Sequence, residues 1–358
     1  MRLLLITNDY LPKPGGIQQY LGNLVASYPH PIHVLAPADA PTDHEDVVTR
    51  HRSRFMWPTP AVAAWAEEQT ARFRPDVILF GAPYPLPWLG PRLRARTGTP
   101  FGVLGHGAEI TIPAAFPITR QLLARPMRQA DVLFAVSRFT AGRMERLTRR
   151  TPRIIGAGID TTAFHPDPEG VFTGVPPVLG SVSRFVPRKH LDWVIEAAAH
   201  LRSRGIPVDV LIVGRGRLEA RLRRQAERLA VPVRFEVDVP WTRLGELYRA
   251  MDVFCMPCRS RWAGLETEGF GLVFLEAAAS GLPVLAGDSG GAPETVVPGQ
   301  TGFVVHSLGE IVEAMEILLA DRDRARAMGT AGRERVEQEF TWDRAIERFV
   351  AGLAAVTS

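Results

Sequence analysis

Cysteine is nearly missing from this chain. Two residues in 358, Cys255 and Cys258, exclude a disulfide framework. Their Cys-Met-Pro-Cys spacing suits a redox pair or half of a metal site. No second pair completes such a site, and the tetrapeptide ends an apolar run from Val253 that reads as a buried strand, so a structural role is expected. Long apolar runs are absent too: none approaches the roughly 18 residues of a membrane span. The apolar start Met1–Ile6 is too short for a secretory signal, which makes the cytoplasm the expected location. Interleaved basic and aromatic residues of a nucleic-acid platform are not found. The net charge of +4 and pI near 9.4 therefore do not by themselves make nucleic acid a partner.

What is present is ordinary globular material, 46% hydrophobic and 22% charged, with enough length for two cores. Thirty prolines and 32 glycines punctuate it without any repeat. Short apolar strands alternate with amphipathic helices, the mark of a parallel α/β sheet. Strands are expected at 2–7, 32–36, 77–80, 101–105, 131–136 and 153–156, with helices at 17–27 and 58–73. A polar, proline-rich stretch at Phe164–Pro168 suggests a boundary, after which the alternation restarts: strands 178–183, 208–213, 231–237 and 253–257, helices 191–204, 218–229 and 244–250. The expected fold class is α/β, two Rossmann-like doubly wound domains over residues 1–165 and 166–340 facing a central cleft. A last helix is expected within 341–358.

The chemistry concentrates in Gly264-Leu-Glu-Thr-Glu-Gly-Phe-Gly-Leu-Val-Phe-Leu-Glu276. Gly269 and Gly271 permit left-handed angles and close approach of a ligand to the backbone. Phe270–Ala279 is apolar and free of breakers, so a helix should open there and present its unpaired N–H groups to a phosphate. Glu268, beside that start, can accept hydrogen bonds from sugar hydroxyls; Glu276, about two turns on, can hold a ribose. The spacing alone is more often that of a solvated helix face and a loop. A second glycine-rich turn, Asp288-Ser-Gly-Gly-Ala-Pro-Glu294, follows another short strand, and such junctions gather loops at the carboxyl edge of a parallel sheet.

These words, with Ser183-Arg-Phe-Val-Pro-Arg-Lys189, Thr7-Asn-Asp-Tyr-Leu-Pro-Lys-Pro-Gly-Gly-Ile-Gln18 and His106-Gly107, resemble the family-4 retaining glycosyltransferases of GT-B fold. Within that family the wording is most similar to actinobacterial GDP-mannose-dependent phosphatidylinositol monomannoside mannosyltransferases. The resemblance implies that the first domain binds the acceptor and the second the nucleotide sugar, and that the last helix, within 341–358, crosses back to the first domain. Arg184 and Lys189 would meet the diphosphate, with Arg188 between them facing the surface. Gly269, Phe270, Gly271 and Leu272 would line the donor site, with Glu268 on the sugar and Glu276 on the ribose. His106 would stand near the reaction centre; Asp9, Gly16 and Gln18 would contact the acceptor or brace its loop. The front-face mechanism associated with the family needs no enzyme nucleophile.

No cofactor is implied, the nucleotide sugar being a substrate. No metal is expected either: Asp321-Arg-Asp323 has the letters of a metal-binding Asp-x-Asp but reads as a helix cap. Three departures from the family wording bear on specificity, one of them the loop Gly107-Ala-Glu-Ile-Thr-Ile112 in the domain expected to choose the acceptor. His190 replaces a usual glycine after Lys189. Phe235-Glu-Val-Asp-Val-Pro240 lacks the usual Phe-x-Gly where the nucleobase is read, which leaves guanine and uracil open. Arg50, Arg52 and Arg54 precede Phe55-Met-Trp57, an element suited to an anionic membrane surface, and Arg143–Arg153 is a second basic stretch. A glycolipid acceptor, a soluble natural-product or cell-wall-precursor acceptor, and a non-catalytic nucleotide-sugar binder all remain open at this stage.

Overall fold

The computed structural model describes residues 1–13, 15–40 and 45–357. Pro14, within the Thr7–Gln18 motif, lies outside the described residues. Two compact units form, one from Met1–Gly158 with the segment from Trp342 onward, the other from Ile159–Thr341. Each is a parallel sheet covered by helices.

In the first unit the strands are β1 (Leu3–Ile6), β2 (Ile32–Ala36), β3 (Val48–Arg50), β4 (Val77–Phe80), β5 (Phe101–Gly105), β6 (Val132–Ala135) and β7 (Arg153–Ile154), in the order β3-β2-β1-β4-β5-β6-β7. In the second they are β8 (Val178–Val182), β9 (Asp209–Val213), β10 (Val233–Glu236), β11 (Val253–Met256), β12 (Val284–Gly287) and β13 (Gly302–Val305), in the order β10-β9-β8-β11-β12-β13. Every pairing is parallel. The continuous apolar strands follow from burial on both faces: β1, β4, β5 and β6 are buried at every position. β4 and β5 have the bounds expected from the sequence. β3 was not anticipated, because three half-buried residues at a sheet edge carry little pattern.

The order reverses between β1 and β4 in one sheet and between β8 and β11 in the other. At such switch points the loops leaving adjacent strands diverge and open a crevice outside the carboxyl ends. Thr7–Asp9, Gly81 and His106 follow β1, β4 and β5; Ser183–Lys189, Pro257 and Asp288 follow β8, β11 and β12.

The final helix, Trp342–Thr357, packs within the first unit. Phe349 is fully buried, its ring 5.0 Å from that of Phe134 on β6 and 6.0 Å from that of Tyr28. Asp321 accepts a hydrogen bond from the backbone N–H of Arg324 and so caps the helix Arg322–Glu339, while Asp323 pairs with Arg326. Among the described residues no helix is long and apolar enough to cross a membrane. Cys255 and Cys258 are buried free thiols, both pushed up by burial, Cys258 to about 12 and Cys255 further, so neither is poised to react as a thiolate.

Candidate active site

The loop leaving β8 is anchored by Phe185, fully buried, whose N–H donates to the Arg215 carbonyl. It then tightens into a single 3-10 turn, Pro187–Lys189. That turn brings two adjacent cations inward: Arg188 is 8% exposed and Lys189 6%. Lys189 Nζ lies 2.6 Å from Glu268 Oε2, and Arg188 Nη1 lies 2.7 Å from the same oxygen. The expectation for Arg188 is thereby corrected. It is a buried partner of Glu268, and Arg184 is the exposed member, with no ion pair among the described residues.

Arg188 also approaches Glu266, Nε to Oε1 at 3.8 Å, and Glu266 pairs with Arg261 at 3.3 Å. The result is a chain of alternating charge, Arg261–Glu266–Arg188–Glu268–Lys189. Burial would raise the Glu268 carboxyl, but Lys189 and then Arg188 outweigh it and hold the group below the usual carboxylate range. Neither Glu266 nor Arg261 stands out in sequence; the Glu266–Glu268 alternation is the one signal that could have pointed to the former.

The two glycine-rich turns press on one another, which explains their composition. Glu268 N–H donates to Ser289 Oγ (3.0 Å), and Gly291 N–H donates to the Glu268 carbonyl (3.1 Å). Gly290 has φ +58°, and any Cβ there would collide with that carbonyl. Of the pair Gly269 and Gly271, only Gly271 takes a left-handed angle, φ +89°, and it caps the helix Leu272–Ala279. The helix therefore opens two residues later than expected, and Phe270 is instead a buried side chain 6.1 Å from the Phe340 ring. Leu272, its first residue, is half-buried.

One turn further in, Glu276 accepts a 2.7 Å hydrogen bond from the hydroxyl of the fully buried Tyr248. No cation pairs with it among the described residues. Burial pushes its carboxyl up to about 7, and the Tyr248 hydrogen bond pulls it back only partly. Two carboxylates eight residues apart thus sit in opposite electrostatic settings.

The first unit gathers the other candidates at its own switch point. Gln18 Nε2 donates to Asp9 Oδ1 at 2.8 Å, and Asp9 is raised, chiefly by burial. His106 Nε2 lies 2.9 Å from the Gly81 carbonyl, which can only accept; Nε2 therefore carries the hydrogen and a neutral ring keeps Nδ1 as acceptor. Tyr20 meets the imidazole edge-on at 5.3 Å. Glu109 accepts from the N–H groups of His106 and Gly107 and so fixes this turn. Gly16 opens the helix Gly16–Ser27, and a Cβ there would meet nothing within 4 Å, leaving the helix start accessible. Asn8, part of the Thr7-Asn-Asp motif but not singled out, clamps a distant loop by exchanging two hydrogen bonds with the Met56 backbone at 3.0 and 2.8 Å.

The basic stretches divide in use. Arg50 is turned into Glu45 and the carbonyls of Leu11 and Pro37, leaving Arg52 and Arg54 exposed beside Phe55 and Trp57. Arg150 folds onto the carbonyls of Arg128, Ala130 and Asp131 at the end of the helix Pro117–Gln129, a capping role.

Known proteins resemble this chain along most of its length. Residues 14–163 match the family described as Glycosyltransferase Family 4, and residues 168–335 match Glycosyl transferases group 1. The GDP-mannose-dependent alpha-(1-6)-phosphatidylinositol monomannoside mannosyltransferase of Mycobacterium tuberculosis is 39% identical, over 96% of this chain and 95% of that protein. The enzyme of the same name from Mycolicibacterium smegmatis is 38% identical, over 95% of each. The Corynebacterium glutamicum enzyme described as acting on the monoacylated monomannoside is 35% identical, over 96% and 95%. Among solved structures, Anabaena HepE in complex with UDP superposes with a TM-score of 0.83 at 19% identity, covering 99% of this chain and 100% of that one. Sucrose-phosphate synthase from Thermosynechococcus elongatus gives 0.78 at 21%, covering 98% and 97%. With both halves matched in order and the fold shared, this chain belongs to the family-4 glycosyltransferases of GT-B fold.

Proposed function

We propose that this protein is a retaining, metal-independent mannosyltransferase that moves mannose from GDP-mannose to a hydroxyl of a phosphatidylinositol mannoside. The observation that carries the reading is the cation-paired Glu268 at the β8/β11 switch point, on a chain alike end to end to enzymes described as doing this. The second unit takes the donor. Arg184 and Lys189 meet the diphosphate together with the helix start at Gly271, supplying charge without a metal ion as the glycosidic bond breaks. Glu268 receives sugar hydroxyls and Glu276 the ribose, while Gly269, Phe270 and Leu272 shape the wall. The first unit takes the acceptor near Asp9, Gly16 and Gln18, and His106 Nδ1 accepts a hydroxyl hydrogen close to the reacting carbon.

The acceptor lipid implies contact with an anionic membrane face. Phe55 and Trp57 are exposed, 42% and 51%, with rings 5.0 Å apart, and exposed Tyr84 is 6.2 Å from Trp57. Arg52 and Arg54 beside them complete an interfacial patch of aromatic and basic character. Calorimetric titration with GDP, UDP, ADP and their hexose conjugates, followed by transfer assays on phosphatidylinositol monomannoside, tests the reading. Selective GDP-mannose binding supports it; preference for a UDP-sugar overturns the donor. The second reading rests on the segment lacking Phe-x-Gly, where Asp238 has φ +54° and pairs with Arg215.

A further inference from the structure

We propose that Arg188 is a positioning residue: it holds the Glu268 carboxylate in place when Lys189 turns to the diphosphate of the donor. The inference rests on the donor site proposed above and adds a division of labour between two adjacent cations.

Both cations contact the same oxygen, Oε2, and Oε1 carries no hydrogen bond among the described residues. Glu268 thus presents one occupied and one open oxygen, and the open one can take substrate hydroxyls. Lys189 must serve the diphosphate as well. An ammonium on a four-carbon stem redirects its charge by rotating its chain, whereas a guanidinium fork fixed at two points does not. Arg188 is fixed in this way, Nη1 on Glu268 and Nε toward Glu266, and its own carbonyl accepts from the Arg259 N–H at 2.9 Å. Glu266 is braced in turn by Arg261. Lys189 ends the chain of charges, with a soft thioether behind it: Met256 Sδ lies 3.2 Å from Nζ. Composition agrees, since only two of the chain's 42 basic residues are lysines, Lys13 and Lys189. A lysine stands where a mobile charge is needed, and an arginine stands beside it where a fixed one is.

The consequence is a sequence of contacts. Without donor, Glu268 is shared by two cations. With donor, Lys189 is drawn to phosphate, and Arg188 alone keeps the carboxylate charged and aimed. Losing Lys189 should then weaken nucleotide binding, and losing Arg188 should spare it while impairing the chemical step.

The test compares Arg188→Met, Arg188→Lys and Lys189→Met, using GDP for binding and GDP-mannose for transfer. For Arg188→Met, kcat is expected to fall about 100-fold with GDP affinity within about threefold of wild type, and the acid limb of the kcat profile to move toward neutral pH. Arg188→Lys should restore a substantial part of kcat. Lys189→Met should instead lose at least about tenfold in GDP affinity. Equal loss of GDP affinity in Arg188→Met and Lys189→Met overturns the proposal, making Arg188 a phosphate ligand. Lowered stability with an unmoved acid limb overturns it as well, making Arg188 a structural brace.

A cycle on the unliganded protein is independent of activity. The melting-temperature cost of Arg188→Met should be fully present above about pH 4.5, shrink as pH falls below it and Glu268 takes up its proton, and be at least halved in a Glu268→Gln background. Wild-type protein that neither binds GDP nor transfers mannose ends the functional reading of the site. The cycle then decides alone: no coupling overturns the contact between Arg188 and Glu268, and clear coupling supports it.

Discussion

The carboxyl edges of the two sheets hold similar residues in different company. In the second unit Glu268 lies between two buried cations and is held below the ordinary carboxylate range. In the first unit Asp9 is met by the Gln18 amide, Glu109 by backbone N–H groups, and Asp9 is raised. The same topology therefore surrounds a carboxylate with cations at one edge, an arrangement fit for a diphosphate, and surrounds the carboxyls of the other edge with amide and backbone donors, an arrangement fit for hydroxyl groups. The switch point supplies the crevice; the side chains that converge on it decide which end of a sugar transfer it can serve.

The largest expected effect breaks the cation-rich edge at its centre. Glu268→Gln keeps the shape but leaves Lys189 and Arg188 without their anion. Turnover should fall by about 10²–10³-fold, while GDP binding, proposed to use Lys189 and Arg184, is retained. Steady-state kinetics beside calorimetry reads both, and parallel loss of binding and turnover would remove Glu268 from the sugar. Next in size, Lys189→Met should weaken GDP by about 1.5–3 kcal/mol, the range of a charge-assisted contact. Asp9→Asn in the first unit should leave GDP affinity alone and raise the acceptor KM. An Asp9→Asn protein that binds GDP more weakly would dissolve the contrast between the two edges.

A smaller effect sharpens the contrast between the two carboxylates of the second unit. Glu276 stands near 7, so donor binding that needs its carboxylate form should weaken as pH falls below neutrality. Stability runs the other way. A carboxyl raised above its unfolded value stabilises the fold below the unfolded pKa, and that contribution is lost as pH rises through about 7. Tyr248→Phe removes the hydrogen bond that pulls Glu276 down, so the acid limb of donor binding should move to higher pH, with about 1 kcal/mol of stability lost. An unmoved limb would separate Glu276 from the ribose.

The legible and illegible parts of this molecule divide on physical grounds. Strands buried on both faces are continuous apolar runs, so β4 and β5 could be bounded to the residue. Ser289, Gly290 and Glu268 were visible as motif letters because backbones that nearly touch admit few residue types. Arg188 was not legible. Loops lack a period, and a single 3-10 turn sends two neighbouring cations inward where alternation suggests one in and one out. Arg150 and Arg50 looked like surface charge for a similar reason: their partners are backbone carbonyls and a carboxylate supplied by other segments, which local sequence cannot display.

The smallest expected effect concerns the joint that carries the two cations. His190 follows Lys189 with φ +48°, a left-handed angle that costs a residue with a Cβ about 1 kcal/mol and costs glycine almost nothing. Its ring lies 4.5 Å from Trp193, a contact of comparable size that glycine would forfeit. The two terms oppose each other, so His190→Gly should change unfolding free energy by no more than about 0.5 kcal/mol. Turnover should stay within about twofold, because the turn Pro187–Lys189 is held independently by Phe185 and by the paired carboxylates Glu266 and Glu268. Denaturant unfolding measures the first quantity. A stabilisation near 1 kcal/mol would mean that the stacked imidazole contributes nothing and that the backbone strain stands unopposed at the edge of the donor site.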